Sequence, residues 1–267
     1  MILLFYAFAR EIAPFKRRLH NRTPLALDSL HGFRAEVGGR EFAVVGHGIG
    51  HRRATEIARH TFDLMPGAEL VVGTGVVGAL SSGLKPGDLV LADRILTIDG
   101  DGQIAERVIA VGDSHMRAVG RSLASAGIAY STGAILTSHR VLATGAEKRR
   151  AKESTGAIAV DMETAALASE AAARGLPFVA IRAVLDEVDD EVVGAAMADQ
   201  DGNVKPLAAT SYLLRNPATM LKLPRLMRNL SRATASIADA LTAIAHEGNV
   251  PAATKRARDP VARKHRR

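Results

Sequence analysis

One segment constrains the fold more than any other. Apolar runs at residues 157–160 and 177–184 read as strands, and they flank an alanine-rich stretch at residues 162–174 that reads as a helix. Strand, helix and strand in this order predict a parallel crossover unit. The carboxyl ends of the strands in such units open into the ligand crevice, and Glu163 and Asp186 each follow a strand end. We therefore expect two carboxyl groups to face one pocket.

The acids at the helix start also have structural interpretations. Asp161 is interpreted as an ordinary N-cap residue. Glu163 lies in the first turn, where its charge would complement the positive end of the helix. A ligand-binding role for Glu163 would also account for the apolar strand before it, which a role at the helix end does not require. The spacing of these residues leaves the helix-end role and the ligand-binding role both open.

Three separated motifs resemble the purine nucleoside phosphorylases and the methylthioadenosine/S-adenosylhomocysteine nucleosidases. In chain order they are Ala7-Phe8-Ala9-Arg10-Glu11-Ile12, Val160-Asp161-Met162-Glu163 and Arg182-Ala183-Val184-Leu185-Asp186. The resemblance covers about residues 1–190. It implies an enzyme that cleaves the N-glycosidic bond of a purine nucleoside.

The resemblance also implies roles for individual residues. Glu11 would be the base acting on the nucleophile, Glu163 would hold a ribose hydroxyl, and Asp186 would protonate the purine. Residues implied to bind substrate are Gly75, Val76, Met162 and Arg182, with Val141 and Leu142 against the purine. Burial in the core would explain Val141 and Leu142 equally well. The chemistry fits, because a purine anion leaves poorly unless an acid protonates it, and apolar neighbours favour a protonated Asp186.

The glycine-rich run at residues 71–78 satisfies two patterns. It matches the dinucleotide pattern G-x-G-x-x-G, and Asp93 follows Gly73 by 20 residues. A dinucleotide fold needs a helix next, whereas residues 79–87 are interrupted by Gly83, Pro86 and Gly87. We therefore prefer the family's loop around the ribose and nucleophile. Val76 and Leu185 stand where many members have Ser, which leaves the nucleophile open.

Two further segments resemble those of phosphorylases. Gly39-Arg40 and the run at residues 45–50 match segments in which the Arg reaches phosphate in a neighbouring subunit. An exposed residue in a hairpin turn is the other interpretation of Arg40. His47 is interpreted as a packed or hydrogen-bonded loop histidine.

Composition is typical of an intracellular α/β enzyme. The chain has 267 residues, 47% hydrophobic and 24% charged, with no cysteine. The absence of cysteine excludes disulfides and thiol chemistry, and no metal-spaced histidines stand out, so we predict no metal and no cofactor, with phosphate as a possible co-substrate. The apolar amino terminus is too short for a signal or membrane segment and reads as a strand, which predicts a cytoplasmic protein.

Basic charge is concentrated at the carboxyl terminus. Residues 249–267 hold seven basic residues and one acidic residue, which together carry six of the seven net positive charges. This composition predicts a disordered tail. A solvated tail without a partner and a tail that touches anionic lipid or nucleic acid are both open; no specific nucleic acid is expected.

Residues 213–246 are predicted to form amphipathic helices separated by Pro217 and Pro224. Within residues 222–232, leucines and a methionine fall on one face and basic residues mostly on the other. A helix docked on the sheet with a solvated outer face explains the pattern, and so does attachment to an anionic inner membrane. This helix follows Gly-Leu-Pro-Phe at residues 175–178, Asp201-Gly202 and Leu214-Arg215-Asn216-Pro217. That order resembles the phosphorylase-like proteins of hopanoid biosynthesis, which implies adenosylhopane, a lipid nucleoside, as substrate.

We predict one α/β domain over residues 1–248, a doubly wound αβα sandwich with a central mixed sheet, as a homo-oligomer. Strands are expected near residues 2, 42, 70, 89, 129, 157 and 178, and helices near 52–64, 114–126, 146–153 and 162–174. Three functions are open: a phosphorylase-type enzyme on an adenosyl lipid, a soluble methylthioadenosine-type hydrolase, and a non-enzymatic basic membrane- or nucleic-acid-binding protein.

Overall fold

The computed structural model describes residues 1–25, 32–98, 104–110, 113–192 and 217–246. The strands are β1 (Ile2–Tyr6), β2 (His20–Pro24), β3 (Gly32–Val37), β4 (Arg40–Gly46), β5 (Leu70–Ala79), β6 (Leu89–Ile98), β7 (Ile104–Ala110), β8 (Tyr130–Thr137), β9 (Ala159–Asp161) and β10 (Phe178–Asp186). The helices are α1 (Ala13–Lys16), α2 (His51–Leu64), α3 (Asp113–Ser125), α4 (Gly145–Thr155), α5 (Thr164–Ala173) and α6 (Pro217–His246).

These strands form a ten-stranded mixed sheet, which confirms the predicted fold class. Strand β5 is central: it pairs in parallel with β1 and β10 and antiparallel with β9. From β1 the sheet continues through β4 and β3 to the edge strand β2. On the other side β10 pairs with β6, β6 with β8, and β8 with β9. Five strands, β5, β10, β6, β8 and β9, therefore close into a ring that the sandwich prediction did not contain.

Local sequence explains the elements that carry the site. Strand β1 is apolar on both faces because it lies between two parallel neighbours, and four of its five residues are buried. Helix α4 begins with a capping box between Thr144 and Glu147 and ends at Gly156, whose φ of 71° is the left-handed conformation that glycine adopts readily. Helix α5 is an alanine-rich helix with six buried residues, so it packs closely against its neighbours.

Several sequence-based predictions need correction. The glycine-rich run is not a loop but the body of β5, because hydrogen bonds to β1 and β10 outweigh the low strand propensity of glycine. Residues 80–88 hold turns without a helix, as the argument against a dinucleotide site required. Strands β2, β3 and β7 were absent from the predicted set, and β2 is exposed along its whole length, so it shows no apolar pattern.

The carboxyl-terminal prediction of separate helices is also wrong within the described residues. Helix α6 runs from Pro217 to His246 and contains Pro224. Pro224 is exposed, so solvent can satisfy the backbone carbonyl that loses its hydrogen bond. The buried apolar residues of α6 lie in its second half, and the helix packs against β10, α1 and α3. The predicted tail at 249–267 and the segment 213–216 lie outside the described residues.

Candidate active site

A cavity of about 240 Å³ lies where several strands of the sheet end. The turn after β1 contributes Phe8 and Glu11, and the carboxyl end of β10 contributes Asp186. The segment after β9 contributes Met162 and Glu163. Glu163 and Asp186 therefore line one cavity, as the strand-end argument required, and Glu11, which the resemblance implies, lines the same cavity.

Glu11 is held at the cavity by backbone donors. Its Oε2 atom accepts the N–H groups of Ala7 at 2.8 Å and Phe8 at 3.1 Å, and its Oε1 atom accepts the N–H of Val76 at 2.9 Å. Burial raises the pKa of Glu11, while the Arg182 guanidinium and these N–H groups act in the opposite direction. A buried carboxylate that is fixed in this way is suited to accept a proton.

Glu163 bridges two distant parts of the chain. Its Oε1 atom accepts the N–H of Gly50 at 2.7 Å, and its Oε2 atom accepts the N–H of Met162 at 3.3 Å. Burial, followed by the charge of Asp161, raises the pKa of Glu163 to about 7. The carboxyl group is thus poised to change its charge near neutral pH.

Asp161 lines the same cavity and is fixed by hydrogen bonds and an ion pair. Its carboxylate accepts the N–H of Thr164, the first residue of α5, and the hydroxyl of Thr137 at 2.9 Å. The N-cap residue of α5 is Glu163 rather than Asp161, so the N-cap prediction is wrong: the helix begins two residues later than the sequence indicated. Asp161 also pairs with Arg182 at 3.0 Å. Both side chains of this ion pair are buried, so its worth depends on the additional hydrogen bonds that complete it.

Arg182, the ion-pair partner of Asp161, is itself fixed by three hydrogen bonds. Its Nη1 atom donates to the carbonyl of Thr74 at 2.6 Å, and its Nε and Nη2 atoms donate to the Thr164 hydroxyl at 3.1 and 2.7 Å. The side chain is fully buried and is not among the cavity-lining residues. Arg182, which the resemblance implies to bind substrate, therefore lies behind the cavity lining. It orients Asp161 and Thr164 and contributes positive charge without lining the cavity itself.

Asp186 lines the cavity at the carboxyl end of β10. Burial raises its pKa, and the ammonium of Lys148, which donates to its Oδ2 atom, acts to lower that pKa. The sequence analysis missed Lys148. The sequence signal for a buried Lys148 was weak. Lys148 and Ala151 are three residues apart and so share one face of a strongly polar helix, and Ala151 is the apolar residue on that face that is buried.

The remaining wall is largely apolar. Val76, Met162, Val141 and Leu142, which the resemblance implies to bind substrate, all line the cavity. Other apolar lining residues, Phe8, Ile49 and Val192 among them, were not in the predicted set. Gly75 lies directly behind the wall rather than on it: a Cβ there would come within 2.5 Å of Glu11 Oε1. A cavity with carboxyl groups on an apolar lining suits a small ligand with a few polar groups.

Two other predicted residues are not brought to this cavity. Arg40 begins β4, at the end of that strand remote from Gly46, and pairs with Glu69 at 3.5 Å. His47 is buried and hydrogen-bonded through Nδ1 to the carbonyl of Gly48 at 2.6 Å, which confirms its interpretation as a packed histidine. Burial lowers the pKa of His47 to about 3.

The first half of α6 differs from the docked second half. Leu223 is 39% exposed and Met227 is 46% exposed, and the basic residues around them are exposed too. Lys222 pairs with Glu191, and Arg225 pairs with Glu187 and Asp190. An amphipathic helix face is thus open among the described residues.

Neither a membrane span nor a metal cluster is present in the parts of the chain that the structure describes. No helix there has the length and apolarity needed to cross a bilayer. No group of three or more potential metal-ligating side chains comes together in the same ranges.

Comparison with known proteins gives concordant matches. The sequence profile of the phosphorylase superfamily matches residues 2–211. A 5′-methylthioadenosine/S-adenosylhomocysteine nucleosidase of Actinobacillus succinogenes is 29% identical over 198 residues, which cover 69% of this chain and 85% of that protein.

Solved structures share the fold. The Neisseria meningitidis 5′-methylthioadenosine/S-adenosylhomocysteine nucleosidase, in complex with methylthio-immucillin-A, superposes with a TM-score of 0.71 at 21% identity over 92% of this chain and 98% of that one. The futalosine hydrolase of Helicobacter pylori superposes with a TM-score of 0.67 at 19% identity over 90% of this chain and 96% of that one.

Proposed function

Because this chain belongs to the phosphorylase superfamily, we propose that it hydrolyses the N-glycosidic bond of a 5′-substituted adenosine and releases adenine. Its relatives make it an N-glycosyl-bond-cleaving enzyme, and the proposal concerns the substrate, the nucleophile and the residues that act. One observation carries it: Glu11, Glu163 and Asp186 line the same cavity, whose other lining residues are mostly apolar.

Each acid has a distinct task in the proposed reaction. Water attacks C1′ and gives a proton to Glu11, while the electron pair of the C1′–N9 bond moves into the purine. Asp186 gives its proton to N7, so the leaving group departs as neutral adenine. Ionised Glu163 accepts a hydrogen bond from a ribose hydroxyl, and this bond strengthens as positive charge develops on the sugar. Met162 packs under the ribose, and Val141 and Leu142 pack against the purine.

Charge balance favours water over phosphate as the nucleophile. The cations among the described cavity-lining residues are Lys148 and Arg140, and each is paired with a carboxylate, Asp186 and Glu147 respectively. A phosphate dianion would therefore meet Glu11 without an unpaired cation among the cavity-lining residues that the structure describes. Phosphorolysis would require Arg40 of a neighbouring subunit, as in the homo-oligomer that the sequence resemblance implies.

The 5′ substituent is proposed to be a lipid, as in adenosylhopane. Phe8, Ile49 and Val76 give the cavity an apolar wall. The exposed Leu223 and Met227 with their basic neighbours would place the enzyme at an anionic membrane, where such a substrate resides. The nucleosidase relative favours a second candidate, a soluble methylthioadenosine hydrolase.

The decisive test is incubation of the full chain with adenosylhopane in vesicles and with 5′-methylthioadenosine, each with and without phosphate. We expect free adenine from the lipid nucleoside at a rate that does not depend on phosphate, with free ribosyl lipid as the other product. A ribose 1-phosphate product would establish phosphorolysis. Release from methylthioadenosine alone would select the soluble hydrolase, and no adenine from either substrate would refute the proposed substrate class.

A further inference from the structure

Lys148 is a buried lysine to which the proposed reaction assigns no role. Its side chain is 1% exposed, and it lies in the first turn of α4. The Nζ atom donates to Asp186 Oδ2, to the carbonyl of Glu187 at 2.8 Å and to the carbonyl of Asp190 at 3.1 Å. An ammonium group has three protons to donate, so these three bonds occupy it fully. Lys148 therefore acts on its neighbours rather than on a ligand.

Helix stability does not explain a lysine at this position. A cation in the first turn opposes the positive end of the helix, and burial of an ammonium is costly unless it is paired and hydrogen-bonded. The same helix face carries the buried Ala151, so an apolar side chain would suit the packing. The lysine therefore lies, despite this cost, beside the carboxyl group that is proposed to protonate the purine.

We propose that Lys148 positions Asp186 for proton donation, by holding Oδ2 in an ion pair while Oδ1 is directed toward the leaving purine. This inference rests on the proposed function, since it concerns the acid of that reaction. No described residue is hydrogen-bonded to Oδ1. Residues 186–190 are tied to α4 by the same ammonium, so the carboxyl group and the turn that follows it are fixed together.

The electrostatic environment gives the pair a second effect. Burial raises the pKa of Asp186, Asp190 from the following turn raises it further, and Lys148 from α4 opposes both. A carboxyl group that binds its proton too tightly is a poor acid near neutral pH. When Asp186 passes its proton to N7, the carboxylate that remains is stabilised by the adjacent ammonium, and solvent returns the proton after adenine leaves.

The test compares the pH dependence of kcat/KM for adenine release in the wild type, K148M, K148Q and K148R. The proposed reaction needs Asp186 in its protonated form, so kcat/KM should fall at high pH as Asp186 loses its proton. The titration of Asp186 thus sets the basic limb of the pH profile. Removal of the cation in K148M or K148Q should raise the pKa of Asp186 and move this limb up by about one to three pH units. The plateau should fall about 10- to 100-fold, because the acid is no longer oriented. K148R should keep the limb in place.

Lys152 provides the matched control. It lies one turn further along α4, is partly exposed, and donates to the carbonyl of Gly156 at 3.0 Å. K152M should retain the wild-type profile. K148Q can still donate to the two carbonyls, so it reports on the charge if K148M fails to fold. A basic limb that is unmoved or lowered in K148Q would overturn the inference, as would equal losses in K148R and K148M. A wild type that releases no adenine would instead count against the proposed function.

Discussion

Gly75 lies against Glu11 with no room for a side chain between them. A Cβ at Gly75 would come within 2.5 Å of Glu11 Oε1 and within 2.6 Å of Arg182 Nη1, and the φ of 136° disfavours any other residue. The glycine thus lets the proposed base and the buried guanidinium approach the same point of β5. The glycine-rich run thus contributes to the site through the backbone at Gly75 as well as through Val76, Val77 and Gly78, which line the cavity.

G75A should therefore lose activity and stability together. We expect a fall of about 2–4 kcal/mol in the free energy of unfolding, because both the strained backbone and the displaced charges are costly. Urea unfolding and adenine release would measure the two effects. Gly83 is the control, since a Cβ there meets nothing within 4 Å; equal behaviour of G83A and G75A would contradict this account.

D186N should remove proton donation while preserving binding. General acid catalysis contributes about 100- to 10,000-fold, so kcat should fall by that range while KM changes little. Steady-state kinetics of adenine release would check it. D189N is the matched control, because Asp189 lies on the same turn but is exposed and pairs with Arg149. A D186N enzyme with near wild-type kcat would remove Asp186 from the mechanism.

The proposed reaction should show an acid limb near neutral pH. Glu163 must be ionised to accept a ribose hydroxyl, and its pKa is raised to about 7, so kcat/KM should rise as the pH increases through that region. In E163Q the rate should fall, and the remaining limb should move to lower pH, because one negative charge near Glu11 is gone. An acid limb that E163Q leaves in place would assign it to another group.

Folding stability should depend on pH through the same group. The folded pKa of Glu163 lies above its ordinary value of 4.5, so the folded protein binds more protons than the unfolded chain between these values. Stability should therefore fall as the pH rises from about 4.5 to about 7. Thermal unfolding at several pH values would show this slope, and E163Q should flatten it. E56Q, at an exposed position of α2, should leave the slope of stability against pH unchanged.

The exposed face of α6 can be tested without catalysis. Replacing Leu223 and Met227 by Glu should reduce binding to vesicles that contain anionic phospholipid by about 10-fold or more, since apolar area and charge both contribute. Co-sedimentation would measure it, and L64E, at an exposed leucine of α2, is the control. Unchanged binding in the double variant would exclude this face as the contact, and an absence of vesicle binding in the wild type would exclude membrane attachment.

The sequence predicted the positions of the acids better than it predicted the strand β5 and the lysine that support them. Glu163 and Asp186 could be placed because each follows an apolar strand, and strand ends in such sheets meet at one edge. The glycine-rich run was misassigned because its conformation depends on pairing with β1 and β10 rather than on local preference. Lys148 could not be found because a lysine in a polar helix is normally exposed, and its burial is decided by the 186–190 turn, nearly 40 residues away.

The closed ring of five strands has a consequence for how activity arises during folding. Val76 on β5 and Asp186 on β10 belong to neighbouring strands that are more than 100 residues apart in the chain, and β6, β8 and β9 complete the ring between them. Contacts of such long sequence separation form late. Recovery of catalysis on refolding should therefore lag behind the return of helical circular dichroism, and fragments that end before β10 should be inert rather than partly active.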